Sequence, residues 1–328
     1  MVLKFKEFSW RNWKRSRNRR RTGPKFAART FAGPASFAET MTTTLRVAHL
    51  SDQHVGLVTP MSVQMEAVRI TNEAKPDLVV ITGDFIAHSL AYTEELVEIT
   101  KAFEAPVFGV LGNHDHWAGA QTMRRVLERG GMCVLQNANT CFEAKGERLQ
   151  IVGLDDSYTG HADRREALRG LNRTLPTIGL THIPEEADGL WAGGVPMVFA
   201  GHTHGGQVSL GRLPEMSVGR LGGHKYVHGL YGSREEPAPS GAVYVSAGIG
   251  AAVMPLRLGD RGQREVTFFE LGARPGTREE HHAEQAALPG RKPSQALQVK
   301  RHRQVAKRVA RRERRREIRS LFKRIRRS

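Results

Sequence analysis

Two hydrophobic rhythms alternate along the first half of the chain. Short apolar runs at Leu45 to Leu50, Leu78 to Thr82, Val107 to Leu111 and Ile178 to Leu180 read as buried strands, and Met197 to Ala200 adds another. Between them, Met61 to Ala74, Thr93 to Phe103 and Ala120 to Arg129 repeat apolar residues at the spacing of amphipathic helices. Strand and helix in strict alternation predict a largely parallel sheet. Cys141 to Leu154 departs from this rule, because two β-type runs there meet at Lys145-Gly146-Glu147 as in a hairpin. After a Gly-rich stretch, Gly205 to Gly232, come strands at Ala242 to Ser246 and Glu265 to Leu271. Parallel and antiparallel strands together predict an α/β fold of two packed mixed sheets with helices outside, four layers in the order α/β/β/α.

Composition sets the expected boundaries. Pro, Gly and charged residues dominate Gly272 to Ser294, the composition of a linker. The expected organisation is a basic, aromatic-rich extension over 1–40, a globular body over 41–272, a linker over 273–295 and a basic helix over 296–328. In that helix Val305, Val309, Ile318, Leu321, Phe322 and Ile325 recur at helical spacing. The formal charge of +17 is unevenly placed: residues 1–29 carry +10, residues 273–328 carry +14, and residues 30–272 carry −7. Basicity therefore belongs to the two ends, and the body is mildly acidic.

No apolar run is long enough for a membrane-crossing helix. Arg19-Arg20-Arg21 followed by Ala27 to Ala38 has the outline of a twin-arginine export signal, but Arg29, Gly33 and Pro34 interrupt the apolar part, so no export is expected. Met41, just before the first expected strand, is an alternative start of translation. Cys133 and Cys141 form no Cys-x-x-Cys pair, and are expected to be half-buried residues of neighbouring strands in a reducing compartment.

The chemistry sits where strands end. Asp52-x-His54, Gly83-Asp84, Gly112-Asn113-His114-Asp115, Thr181-His182 and Gly201-His202-Thr203-His204 each follow one of the apolar runs. Ligands collect at the carboxyl ends of strands in open α/β sheets, so residues 150 positions apart converge on one pocket. Oxygen and imidazole donors without a thiolate suit hard or borderline divalent cations: manganese, favoured here, or iron or zinc. Two such ions clamp a phosphoryl group in phosphatases and nucleases. His88 and His116 follow the Gly-Asp and Asn-His clusters closely enough to line a substrate pocket, whereas His49, His161, His224 and His228 are expected to be solvated.

These five clusters, in this order, resemble the calcineurin-like metallophosphoesterase superfamily over about residues 44–271. The resemblance implies that fold and a metal-dependent phosphoric ester hydrolase with two divalent ions. It implies that Asp52, His54 and His204 bind one ion, that Asn113, His182 and His202 bind the other, and that Asp84 bridges them. It also implies that His114 is a catalytic group beside the scissile phosphate, that Asp115 orients its loop, and that a metal-activated hydroxide attacks phosphorus. One departure stands out. Some members place an Asp three residues after the bridging Asp to partner the catalytic His, and this chain has Ala87 there.

A narrower resemblance rests on Gly201-His-Thr-His-Gly-Gly-Gln207, Lys225-Tyr226, Gly229-Leu230-Tyr231, Tyr244 to Gly250 and Pro255-Leu-Arg257. It is to the membrane-associated bacterial branch with the YkuE-like phosphodiesterases and a UDP-diacylglucosamine pyrophosphatase of lipid A synthesis. That implies a phosphodiester or pyrophosphate substrate. Phe5, Phe8, Trp10 and Trp13 among Lys and Arg suit the headgroup layer of an anionic membrane, which predicts peripheral attachment to the cytoplasmic face through the basic ends. Two alternatives stay open: a soluble phosphodiesterase or phosphatase of small nucleotides with incidental tails, and a nuclease whose Arg-rich ends bind nucleic acid. The loops Ala87 to Tyr92, Asp155 to Asp163 and Gly205 to Tyr231 are expected to set specificity.

Overall fold

Alternation along single strands builds the layers. In the computed structural model, Leu45 and Val47 of β2 (Leu45–Leu50) join one apolar cluster with Ile151 and Phe199, while Ala48 and Leu50 join another with Val63 and Val68. Leu78 and Val80 of β3 (Leu78–Thr82) split from Val79 and Ile81 in the same way. The structure describes residues 24–206, 222–236, 239–251, 257, 259, 262–277, 280, 283–290 and, between 296 and 314, residues 296, 297, 299–301, 303, 304, 306, 307, 310, 311 and 314.

Among the described residues there are two six-stranded sheets. The first runs β1 (Phe26–Ala32), β12 (Arg264–Leu271), β2, β3, β4 (Val107–Val110) and β5 (Met132–Val134), with β2 to β5 parallel and β12 antiparallel to β2. The second runs β10 (Gly229–Gly232), β11 (Ala242–Val245), β9 (Met197–Ala200), β8 (Thr177–Leu180), β7 (Glu147–Gly153) and β6 (Ala138–Ala144). Helices α2 (Met61–Glu73), α3 (Thr93–Lys101) and α4 (Asn113–Arg129) cover the outer face of the first sheet through Val68, Leu96, Ile99 and Leu127. Ala167 of α5 (Arg164–Ala167) and Leu190 of α6 (Ala187–Ala192) cover the second. The two inner faces meet in a core of Phe31, Val47, Val80, Ile178, Phe199, Tyr244 and Phe269. The four layers expected from the pattern are present.

The boundaries require correction. Residues 26–32 form β1, paired along β12, and α1 (Ala35–Thr40) buries Phe37 in the inter-sheet core. The body therefore begins well before residue 41. Arg29, counted by composition with a basic tail, is buried and donates to Glu265 at 2.8 Å. The expected linker is also docked: Arg234 pairs with Glu280 at 2.6 Å and Glu284 at 2.9 Å, and Gln285 donates its backbone N–H to Leu230. The described residues between 296 and 314 are helical. Phe5, Phe8, Trp10, Trp13, Val305, Val309, Ile318, Leu321, Phe322 and Ile325 lie outside the described residues. Cys133 and Cys141 are exposed and unpaired, on β5 and β6 of different sheets. His49 and His228 are buried rather than solvated: His49 bonds Thr82 at 2.9 Å, and His228 joins the Arg29 pair.

That pair is a buried network. Glu265 accepts from Arg29 and from the backbone N–H of Ala247, and His228 Nε2 lies 3.1 Å from the same carboxylate. Burial alone would raise the pKa of Glu265, but His228 and Arg29 overcome it and hold the carboxyl at about 2. Because the unfolded side chain titrates near 4.5, ionised Glu265 stabilises the native state above that pH, and this contribution is lost as pH falls toward 2. Glu265→Gln should therefore lower stability at pH 7 by about 3–5 kcal/mol, because it removes the carboxylate that balances the buried charge of Arg29. Urea unfolding at pH 7 and pH 3 checks this, the gap between wild type and variant narrowing at the lower pH.

Candidate metal centre

The five clusters meet at one end of the two sheets. Asp52 and His54 follow β2, Asp84 follows β3, Asn113 and His114 open α4 directly after β4, His182 follows β8, and His202 and His204 follow β9. At three of these strand ends the backbone is left-handed. Asp52, His54, Asp84, His202 and His204 adopt positive φ, between 43° and 75°. Left-handed backbone costs an L-residue about 1–2 kcal/mol. Its concentration here marks a site that the surrounding packing enforces.

Two sets of donor atoms converge. Nε2 of His54 lies 3.1 Å from Nε2 of His204, and Asp52 Oδ1 is 3.5 Å from the His204 nitrogen. Nε2 of His182 lies 3.2 Å from Asn113 Oδ1 and 3.2 Å from His202 Nδ1. Asp84 Oδ2 stands between the sets, 3.5 Å from His54 Nε2 and 3.4 Å from His182 Nε2. All the sequence-derived ligand positions are thus brought together, and three overlapping triads among them, Asp52 with His54 and His204, Asp52 with Asp84 and His182, and His54 with Asp84 and His114, are tight enough to hold a cation.

The electrostatics call for positive charge at these points. Burial holds His54 and His204 down to about 3, with neighbouring carboxylates offsetting only part of that cost, so both rings face each other as lone-pair donors. Burial opposes ionisation of Asp84, yet His182, His114 and His54 hold its pKa well below the usual carboxylate range. His182 shows the converse: Asp84, Asp52 and Asp156 outweigh its burial and drive it up to about 10. A proton on His182 answers the same negative charge that a cation would. Its ring is already set for ligation, since Nδ1 donates to the Thr82 carbonyl at 2.8 Å and leaves Nε2 turned to Asp84. The donor set fits divalent cations.

Against this geometry the comparisons are specific. Residues 45–206 match the family model described as calcineurin-like phosphoesterase. The chain is 31% identical over 236 residues to the uncharacterized metallophosphoesterase YkuE of Bacillus subtilis (strain 168), covering 69% of this chain and 78% of that relative. It belongs to the calcineurin-like phosphoesterases. Phosphodiesterase YaeI of Escherichia coli (strain K12) is 28% identical, covering 69% and 82%. The UDP-2,3-diacylglucosamine pyrophosphatase LpxG of Chlamydia trachomatis is 27% identical, covering 63% and 78%. This phosphoesterase is a hydrolase of the phosphodiesterase type with an Asp/His cluster able to bind metal ions.

The departure at Ala87 has a structural answer. His114 Nδ1 is 2.5 Å from the backbone carbonyl of Ala87, so a carbonyl takes the place of the carboxylate partner. Nδ1 then carries the proton and Nε2 is left as the free ring nitrogen. Asp115 wires the two loops together, accepting from the backbone N–H groups of Phe85 at 3.0 Å and of Gly112 at 2.9 Å. Burial, then the charge of Asp84, raises Asp115 to about 7 against those bonds. His88 is exposed, and its ring sits 5.0 Å from that of His114. His116 does not join it. Two residues further along α4 is more than half a turn away, and there His116 is buried, with Nε2 2.7 Å from Asp155 and its face on His161.

Sequence reasoning passed over several neighbours of the site. Trp117 packs 4.8 Å from His114, Tyr158 packs 5.5 Å from His202, and Arg257 Nη2 lies 3.3 Å from His204 Nδ1. Signals existed for two of them, since Tyr158 is in the loop Asp155 to Asp163 and Arg257 closes Pro255-Leu-Arg257. Gly112 offers a test of the bridge. A Cβ there would fall 2.3 Å from Asp84 Oδ1. Gly112→Ala should displace the Asp84 carboxylate, lower the bound metal per chain and cut turnover about 100-fold, with the folded circular dichroism spectrum retained. Full metal content by elemental analysis would show that the Asp84 carboxylate does not bridge.

Proposed function

We propose that this phosphoesterase hydrolyses a phosphodiester or pyrophosphate bond in a lipid-linked nucleotide or related headgroup, at the surface of an anionic membrane. The chemistry rests on one observation: two sets of oxygen and imidazole donors converge on either side of Asp84, with Nε2 of His114 beside them. Asp52, His54 and His204 would hold one cation, and Asn113, His182 and His202 the other, with Asp84 shared. Manganese suits this mixture of oxygen and imidazole donors. When bound, the ions supply Lewis acidity to the phosphoryl oxygens and acidify a water for in-line attack on phosphorus.

The protein groups do the rest. The Thr82 carbonyl fixes the tautomer of His182, and the Ala87 carbonyl fixes that of His114. His114 would sit beside the departing oxygen, there to stabilise the developing charge or to pass a proton to it. Asp115 keeps its distance from the chemistry. Its carboxylate holds the backbone of Phe85 and Gly112, and with them the spacing between Asp84 and His114.

The lipid-linked part of the reading rests on the apolar groups near the ligands. Leu57 is 88% exposed, three residues beyond His54, and the rings of Trp117 and Tyr158 pack against His114 and His202. Apolar side chains beside a polar centre suit a substrate with a phosphate head and an acyl tail. The similarity to LpxG points the same way, and UDP-diacylglucosamine is the substrate to try first. Among the described residues no helix is long and apolar enough to cross a membrane. Surface attachment would come from the basic ends, at about 1 kcal/mol for each Lys or Arg near anionic lipid. The acidic body of charge −7 disfavours the nuclease alternative.

Asp84→Asn should abolish turnover and strip metal, whereas His114→Ala should cut kcat by about 10²–10⁴-fold with both ions retained. Equal metal loss in the two variants would make His114 a ligand. Manganese-dependent hydrolysis of UDP-diacylglucosamine against bis-p-nitrophenyl phosphate tests the substrate, and turnover of the artificial diester alone refutes the lipid reading. Removing residues 1–23 and 315–328 should abolish sedimentation with phosphatidylglycerol vesicles while hydrolysis of the soluble diester persists. Unchanged sedimentation would exclude membrane attachment through those residues.

A further inference from the structure

We propose that Arg301 of the C-terminal basic segment is a substrate-binding residue that takes a second phosphate group, one outside the bond being cleaved. The inference rests on the phosphoesterase reading of the metal centre and extends it outward by one ring.

Its basis is a chain of contacts leading out of the site. Tyr158 is half-buried on the loop between β7 and α5, with its ring 5.5 Å from the ring of His202 and 6.0 Å from that of Trp117. Trp117 in turn packs on His114, so the Tyr158 ring spans the space between a ligand position and the proposed acid. The guanidinium carbon of Arg301 lies over this ring, 3.8 Å from its centroid. Such a distance is close for a cation–π contact. Among the described residues between 296 and 314, Arg301 alone is partly buried, and the others are exposed. The contact is therefore particular to this residue rather than the average behaviour of a basic segment.

Charge decides what the contact is for. No carboxylate among the described residues pairs with Arg301, so its N–H donors are directed by an aromatic face and left without an anionic partner. A basic segment is a poor plug for a centre that binds cations, because its charge repels theirs. An anion placed between them reverses that sign and is held from both sides. A substrate with one phosphate on the metal centre and a second directed toward Tyr158 has this form, and a planar guanidinium recognises phosphate through two parallel hydrogen bonds. A simple phosphodiester has no second phosphate to offer. Arg301 would thus favour pyrophosphate-type substrates over such diesters.

The test is calorimetric binding of AMP and ADP to the manganese-loaded full chain at fixed free manganese. The wild type should bind ADP about tenfold more tightly than AMP, the worth of about one hydrogen bond to a charged group. Arg301→Ala should remove most of that margin with AMP affinity unchanged, and Arg301→Lys should recover part of it. The proposal is overturned if the wild type shows no ADP margin, if Arg301→Ala keeps it, or if both nucleotides weaken equally. Each titration is repeated in the His114→Ala background, where slowed hydrolysis leaves the heats to report binding. Failure of the wild type to cleave bis-p-nitrophenyl phosphate would count against the diesterase reading, whereas the ADP margin alone decides the role of Arg301.

Discussion

Asp84 carries an ionised carboxylate where almost no water reaches, and most of the catalytic end of the molecule can be understood as the means of keeping it there. His54 and His182 both approach its Oδ2, at 3.5 and 3.4 Å, and the backbone N–H of His114 donates to its Oδ1 at 2.8 Å. The Gly112 that precedes Asn113 has no side chain because Asp84 occupies the space. Burial of such a charge is tolerated only when it is paired or bound to metal. The left-handed backbone at Asp52, His54, Asp84, His202 and His204 is part of the same constraint, since each turn aims a donor at this region.

The two-sheet architecture supplies the rigidity that such an arrangement needs. Every donor emerges within a few residues of a strand end, and the strands are locked by apolar side chains on both faces. His49, one turn of the pleat before Ser51, illustrates how far the polar network reaches into this frame. It is fully buried between the sheets, bonds Thr82 and packs 5.0 Å from Phe199, while Thr82 offers its carbonyl to His182. A hydrogen-bonded path thus connects the inter-sheet core to a ligand position.

Much of this was legible in the chain. The apolar runs before Asp84, Asn113, His182 and His202 are nearly continuous because those strands are buried on both faces, and the run before Asp52 is broken only by Arg46 and His49. The five clusters were legible for the same reason, each being polar at the abrupt end of an apolar run. The strand at Phe26–Ala32 was not, because Arg29 looks like a solvated charge until Glu265 and His228 are seen around it. Pairing across more than 230 residues leaves no local trace. His116 was misplaced because proximity in sequence to His114 means little on a helix, where two residues separate opposite sides. The partner of His114 was invisible for a different reason: a backbone carbonyl has no letter in the sequence.

The order of strands in the first sheet bears on how the molecule is made. Among the described residues the last strand, β12, lies between the first two, so β1 gains its neighbour only when residue 264 and those after it have been synthesised. At roughly 5–20 residues per second on the ribosome, β1 and β2 wait for tens of seconds with a gap between them one strand wide. During that interval Arg29 has no carboxylate, and the edge of β2 is open to any extended segment that drifts by. The nascent chain is therefore most exposed to mispairing and to chaperone capture along that edge, and closure of the sheet is an event of chain completion rather than of early collapse.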